Sequence, residues 1–258
     1  MRELIKNPFK RLQKSAVVKL FFGVTYISNA QLTQKVSWDY PTKPGTEEWN
    51  LLKTEQESFA AVQVPEEVLE KMSSEEIVHL CVNFPRFGYF GAFVTPQQDG
   101  FSVMIDKYNI FERLFSKKGV GKSLIVAYKD AGMKGFKTLP YANEFWTIKL
   151  HYLELLLTQN AILQSMSPEE RFELLVESRK KFSEKIYDEA FSSLSGLLCS
   201  VRIMATLLDI EEYQELKLSS KRQITSQFIQ TGMLVDVSTI DEIIGIADNY
   251  IKTKEQNP

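Results

Sequence analysis

Apolar residues recur at helical spacing along most of the chain after Thr46, and almost nowhere do they alternate with polar ones long enough to build a strand. Ile77, Leu80, Cys81 and Phe84 form one stripe; Ile105, Tyr108, Phe111, Leu114 and Phe115 form another. Phe145, Ile148, Tyr152, Leu155, Leu156, Ile162 and Leu163 mark residues 143–164 as one central helix. Phe191, Leu194, Leu197, Leu198, Val201, Met204 and Leu208 lie among few charges and predict a core helix, and Ile240, Ile243, Ile244, Ala247, Tyr250 and Ile251 a last amphipathic one. The fold class that follows is all-α, an array of about eight to ten helices arranged as an irregular bundle or an α-α superhelix. Residues 234–237 are the one stretch with a strand-like pattern.

The ends of these helices carry their own signals. Thr46 is an N-cap followed by Glu47 and Glu48, whose carboxylates meet the positive end of the helix dipole. Pro65 opens a short helix that reaches about Met72, Ser73 and Glu76 have capping-box spacing, and Pro85 stops the helix they start. Gly119 and Gly121 punctuate the chain before a short helix over 123–131, which Gly132 closes. Ser167, Pro168 and Glu170 make the strongest helix start, for a helix expected to run to about Glu189, and Ser238 caps the last helix. Residues 86–104, rich in aromatics and glycine, read as a loop with one helical turn, and residues 134–140 as a linker. The helical domain is therefore 46–258, with a candidate division into 46–133 and 141–258.

Ahead of it, Pro41, Pro44 and Gly45 make residues 31–45 an extended leader, expected to lie loosely on the surface. Residues 1–30 have the pattern of a signal peptide. Arg2, Lys6, Lys10, Arg11 and Lys14 precede an apolar run over 20–27, and Ser28 and Ala30 are small enough for a signal peptidase pocket. That run is far shorter than the ~20 residues needed to cross a bilayer. The expectation is an exported chain, periplasmic or extracellular, starting at Gln31 and soluble, with no integral membrane segment after cleavage.

Charge narrows the partners. Removal of residues 1–30 takes six basic residues and one acidic, leaving 25 basic against 32 acidic and a net charge of −7. Affinity for a polyanion needs the opposite balance, so nucleic acid is not an expected partner. A hydrophobic content of 44% suffices for a sizeable core. Cys81 and Cys199, each within an apolar helical pattern, are too few for a disulfide scaffold, and their pairing is open.

Candidate chemistry is sparse. Gly119-Val120-Gly121-Lys122-Ser123 has the ending of a phosphate-binding loop, but Ser116 stands where its first glycine belongs and the residues before it look helical. Glu76 and His79 have the spacing by which one helical turn offers a carboxylate and an imidazole to a metal, but His79 lies off the apolar stripe and a solvated pairing with Glu75 or Glu76 is the simpler account. His151 precedes Glu154 in reverse order and shares a face with Ile148 and Leu155, which fits a buried structural histidine. No metal or cofactor is expected on this pattern, and no G-x-S-x-G elbow is present. Trp38, Tyr40 and Trp49, flanked by Asp39, Glu47 and Glu48, are the candidate binding surface; packing of the leader against the first helix accounts for the same residues.

The stretches 40–49, 64–78 and 81–85, which read YPTKPGTEEW, VPEEVLEKMSSEEIV and CVNFP, resemble a family of exported bacterial proteins with no assigned activity. The likeness continues loosely through Asp99-Gly100-Phe101 and Tyr108-Asn109 to about Ala131, and departs at Ile110 and Phe111, where the family has small residues. It implies export and a helical fold and brings no site residues with it.

Together these features point to an exported helical module that binds a protein or peptide, with a hydrolase using paired carboxylates on a glycan or peptide as the alternative. The N-terminal part of this reading is directly measurable: mass spectrometry of the protein from cell envelope or medium is expected to find Gln31 as the first residue, and an intact Met1 with none exported would refute it.

Overall fold

The first turn of a helix lacks backbone acceptors for its N–H groups, and three helices among the described residues supply them with reciprocal capping boxes, Thr54 with Glu57, Ser73 with Glu76 and Ser167 with Glu170. The computed structural model describes residues 38–87, 106–131, 142–188, 191 and 194–256. The expectations for residues 1–37, for most of the 86–104 loop and for the 134–140 linker fall outside these. The described residues are all-α, with thirteen helices and no strand. They are α1 (Glu47–Asn50), α2 (Glu55–Ala60), α3 (Glu66–Leu69), α4 (Ser74–Val82), α5 (Asn109–Ser116), α6 (Val120–Asp130), α7 (Ala142–Leu157), α8 (Asn160–Ser165), α9 (Pro168–Lys185), α10 (Leu194–Ile210), α11 (Gln214–Lys217), α12 (Arg222–Thr231) and α13 (Ser238–Gln256).

The count exceeds eight to ten because continuous patterns break into shorter pieces. The central helix expected over 143–164 is two helices, α7 and α8. Thr158 Oγ1 and Gln159 Nε2 both donate to the Leu155 carbonyl at 2.8 Å, and these local bonds replace the backbone ladder where α7 ends. The helix that begins at Ser167 ends at Lys185, short of Glu189. Short α11 and the largely polar α12, of which Phe228 and Ile229 pack on the core, add to the count. Residues 234–237 do not form a strand; Leu234 packs half-buried while Val235 and Val237 face solvent.

Helix α10 is the centre of the packing. Every residue from 199 to 208 is buried, so the helix is enclosed on all sides by α7, α9, α12 and α13. Helix α4 packs against α5, α6 and α7, and α6 against α9. Residues from both sides of the 134–140 segment thus share one core, and residues 36–258 form one compact unit.

Gly121 stands inside α6 and does not punctuate it. Gly119, at φ +82°, precedes the helix, while a Cβ on Gly121 would lie 2.7 Å from Met166 Cγ. Met166 is itself buried, so it has little room to withdraw. Gly121→Ala gains ~1 kcal/mol of helix propensity but is expected to lose more through overpacking, which costs ~1–3 kcal/mol. The expected result is a lower Tm in thermal denaturation, and a raised Tm would show that Met166 yields freely.

Candidate functional site

Helix α7 buries Leu150, Tyr152, Leu153, Leu155, Leu156 and Leu157, which leaves a carboxylate at position 154 no route to water. Glu154 is accordingly fully buried and has to find its partners in the protein. Helix α9 supplies one: Ser178, Lys181, Phe182 and Lys185 recur at helical spacing and turn inward despite the charged character of the segment. Lys185 Nζ donates to Glu154 Oε2 at 2.5 Å, to Ser200 Oγ at 2.9 Å and to the Gly196 carbonyl at 3.1 Å, which uses all three ammonium protons. Glu154 Oε1 accepts from Tyr128 at 2.6 Å and from Ser200 at 2.7 Å. The Phe191 ring lies 5.2 Å from the ammonium.

Two further groups border this pair. His151, half-buried one turn earlier on α7, has its pKa lowered by burial, with Glu154 opposing and Lys185 adding to the shift. Burial pushes the Cys199 thiol up to about 12, reinforced by the Glu154 charge and opposed by Lys185 and Arg202. The ligand atoms of His151, Glu154 and Cys199 lie within 4.8 Å of one another. Burial and the neighbouring carboxylate also hold the Tyr128 phenol well above its usual pKa. Lys181 donates to the Ala131 carbonyl at 3.2 Å and lies 3.5 Å from Glu177. The ensemble balances charge in a dry interior. Ser200 gives its proton to a carboxylate and accepts one from an ammonium, which leaves it unlike a nucleophile paired with a free base.

The surface offers a different feature. A cavity of about 610 Å³, open to solvent, is lined by Gln63, Asp106, Lys107, Tyr108, Asn109, Glu112, Phe115 and Ser116. Two side-chain amides build its wall. Gln63 Nε2 donates to the Lys107 carbonyl at 2.8 Å and Gln63 Oε1 accepts from Asn109 N at 3.2 Å. Asn109 in turn bonds both the N–H and the carbonyl of Val64, at 3.1 and 2.6 Å. The turn before α3 and the start of α5 are stitched together by four bonds.

The residues singled out in the sequence fall elsewhere. Tyr40 is in the core, 2% exposed, its hydroxyl 3.4 Å from the Leu80 carbonyl and its ring edge-on to Trp38 and Phe84. Trp38 and Trp49 pack half-buried against the same core, so this part of the leader is anchored by an aromatic side chain instead of lying loosely on the surface. His79 is exposed and sits beside Asn83, while Glu76 accepts from Ser73 N in the capping box. The glycine–lysine–serine segment is the N-cap and first turn of α6, with Lys122 exposed and Ser123 Oγ donating to the Gly119 carbonyl. Cys81 and Cys199 are both free thiols, and Cys81 donates to the Ile110 carbonyl at 3.8 Å. The sequence reading named Glu154 only as a neighbour of His151 and passed over Lys185 and Ser200. The available signal was Leu153-Glu154-Leu155, a lone carboxylate in an apolar run, which demands a buried partner.

Comparison of the chain with family models, curated proteins and solved structures found no match.

The pair makes a sharp prediction for stability. Glu154→Gln or Lys185→Met alone leaves a buried group without its partner and is expected to cost ~3–5 kcal/mol in urea denaturation. The double variant is expected to lose less than the sum of the two by ~1–3 kcal/mol. Additive losses would mean that the two groups are not coupled.

Proposed function

We propose that this chain is exported and works as a helical module that binds a protein or peptide segment, without catalysis of its own. The observation that carries the reading is the open cavity beside the Gln63–Asn109 clasp, whose walls are held by hydrogen bonds and whose lining mixes aromatic surface from Phe115 with the charges of Asp106, Lys107 and Glu112. A pre-organised concave surface of this kind loses little entropy when a segment docks. The inward-facing polar side chains support it from the other direction. Glu154, Lys185 and Ser200 are committed to one another out of reach of a substrate. The net charge of −7 expected for the chain from Gln31 adds a preference for partners that are not themselves strongly acidic.

One observation favours the alternative of a hydrolase: Asp106 and Glu112 line the same cavity. Paired carboxylates ~5–10 Å apart are the minimal apparatus for cleaving a glycosidic bond. Both are solvent-exposed here, whereas acid catalysis by a carboxyl group is served by a partly dry setting.

A displayed random-peptide library selected on the purified chain separates the two. Peptides recovered from it are expected to bind the wild type and to lose at least about tenfold in affinity to Glu112→Arg, a change of ~1.4 kcal/mol. Peptide binding indifferent to Glu112→Arg refutes the cavity as the docking site. Turnover of an oligosaccharide or peptide that disappears in Asp106→Asn and Glu112→Gln replaces the binding module with the hydrolase.

A further inference from the structure

His151 and Glu154 are one turn apart on α7, Cys199 reaches them from α10, and these helices pack directly against each other. We propose that this corner binds a divalent metal ion of the zinc class. Each of the three residues offers one ligand atom within 4.8 Å of the other two. An imidazole nitrogen, a carboxylate oxygen and a sulfur form a borderline-soft donor set, which suits zinc better than the oxygen-seeking magnesium or calcium. Zinc–ligand bonds of about 2.0–2.3 Å place tetrahedral ligands roughly 3.3–3.8 Å apart, so the set closes by about an ångström.

The carboxylate has room for the ion. Glu154 Oε1 accepts two hydrogen bonds, from Tyr128 and Ser200, and Oε2 accepts one, from Lys185. One lone pair on Oε2 is left by that count. On binding, the Cys199 S–H bond breaks, its proton passes to solvent, and the sulfur forms the bond to the metal. His151 contributes a ring-nitrogen lone pair, and a water carried in with the ion on the His151 side takes the fourth position. Half-buried His151 marks the side from which the ion arrives, since Glu154 and Cys199 are both buried. The Lys185 ammonium opposes the ion by sharing its carboxylate, which makes this a site of moderate affinity whose metal and ammonium compete for Glu154. The site is separate from the surface cavity, and its test does not depend on partner binding.

The test is a titration of the metal-free full-length chain with Co²⁺ and with Zn²⁺. One equivalent of Co²⁺ is expected to produce a thiolate-to-cobalt charge-transfer absorption, and Zn²⁺ to displace it and raise Tm. Cys199→Ser is expected to abolish the band, His151→Ala to weaken binding by at least about tenfold, and Cys81→Ser to leave both unchanged. Absence of saturable binding overturns the proposal. So does binding without a thiolate band, a band that survives Cys199→Ser, or one that is lost with Cys81→Ser.

Discussion

An ion pair sealed inside three helices dictates how those helices are arranged. Glu154 on α7, Lys185 at the end of α9 and Ser200 on α10 meet where water does not reach, and each charge would cost several kcal/mol if it were left alone there. Turning α9 by one residue, about 100°, would carry the ammonium away from both partners and bury an unpaired carboxylate. The pair therefore penalises alternative registers heavily while contributing little net stability against an apolar replacement. Tyr128 extends the constraint to α6, because its phenol completes Oε1 of the same carboxylate. Four helices are thus indexed to one side chain.

The same device recurs at several helix ends among the described residues. The last carbonyls of a helix have no partner of their own. Those of α4 at Leu80 and Cys81 are met by the hydroxyls of Tyr40 and Tyr152, the latter at 2.7 Å. Arg202, buried on α10, donates to the Ile229 and Gln230 carbonyls at the end of α12, placing a cation at the negative end of that helix. Gly232 follows in the left-handed conformation, and a Cβ there would lie 3.1 Å from the Arg202 guanidinium. Lys117 reaches the Met72 carbonyl at 2.7 Å after α3, and Lys181 the Ala131 carbonyl after α6. An apolar core sets the order of the helices; hydroxyls and cations from other elements receive the last carbonyls of α4 and α12 and the chain that leaves α3 and α6.

How much of this was legible in sequence follows from the range of the interactions. Caps and stripes are local, so Thr46, Ser73 and Ser167 marked their helices and Ile77, Leu80, Cys81 and Phe84 proved buried as a set. The break between α7 and α8 was hidden because leucines continue through it in register, while the bonds of Thr158 and Gln159 that cause it depend on geometry. Tyr40 left two readings open, a surface aromatic or packing of the leader, because its sequence neighbours are polar, and its long-range contacts with Phe84 and the Leu80 carbonyl take it out of solvent. The interior site was invisible for a related reason. Lys181 and Lys185 occupy a helix rich in charge, where solvation is the default, and the Ala131 carbonyl and Glu154 carboxylate that draw them inward lie on other elements, 50 and 31 residues away. Long-range polar pairing leaves no periodic trace, so a charge run does not reveal which of its members turn inward.

The division between a sealed interior and an open cavity also has a mechanical side. The cavity wall hangs on Gln63 and Asn109, whose amides tie the loop before α3 to the start of α5. Helix α5 is in turn fixed by Ile110, Phe111 and Leu114 against α4, so the cavity inherits its shape from the core beneath it. Phe111 and Tyr108 stack on Phe84 edge to face, with centroids 5.1 and 4.7 Å away, and Phe84 also meets Tyr40. A single aromatic cluster therefore anchors the leader on one side and supports the cavity on the other. Loosening Tyr40 would be transmitted through Phe84 to Tyr108 in the cavity lining, because closely packed rings shift together when one is displaced.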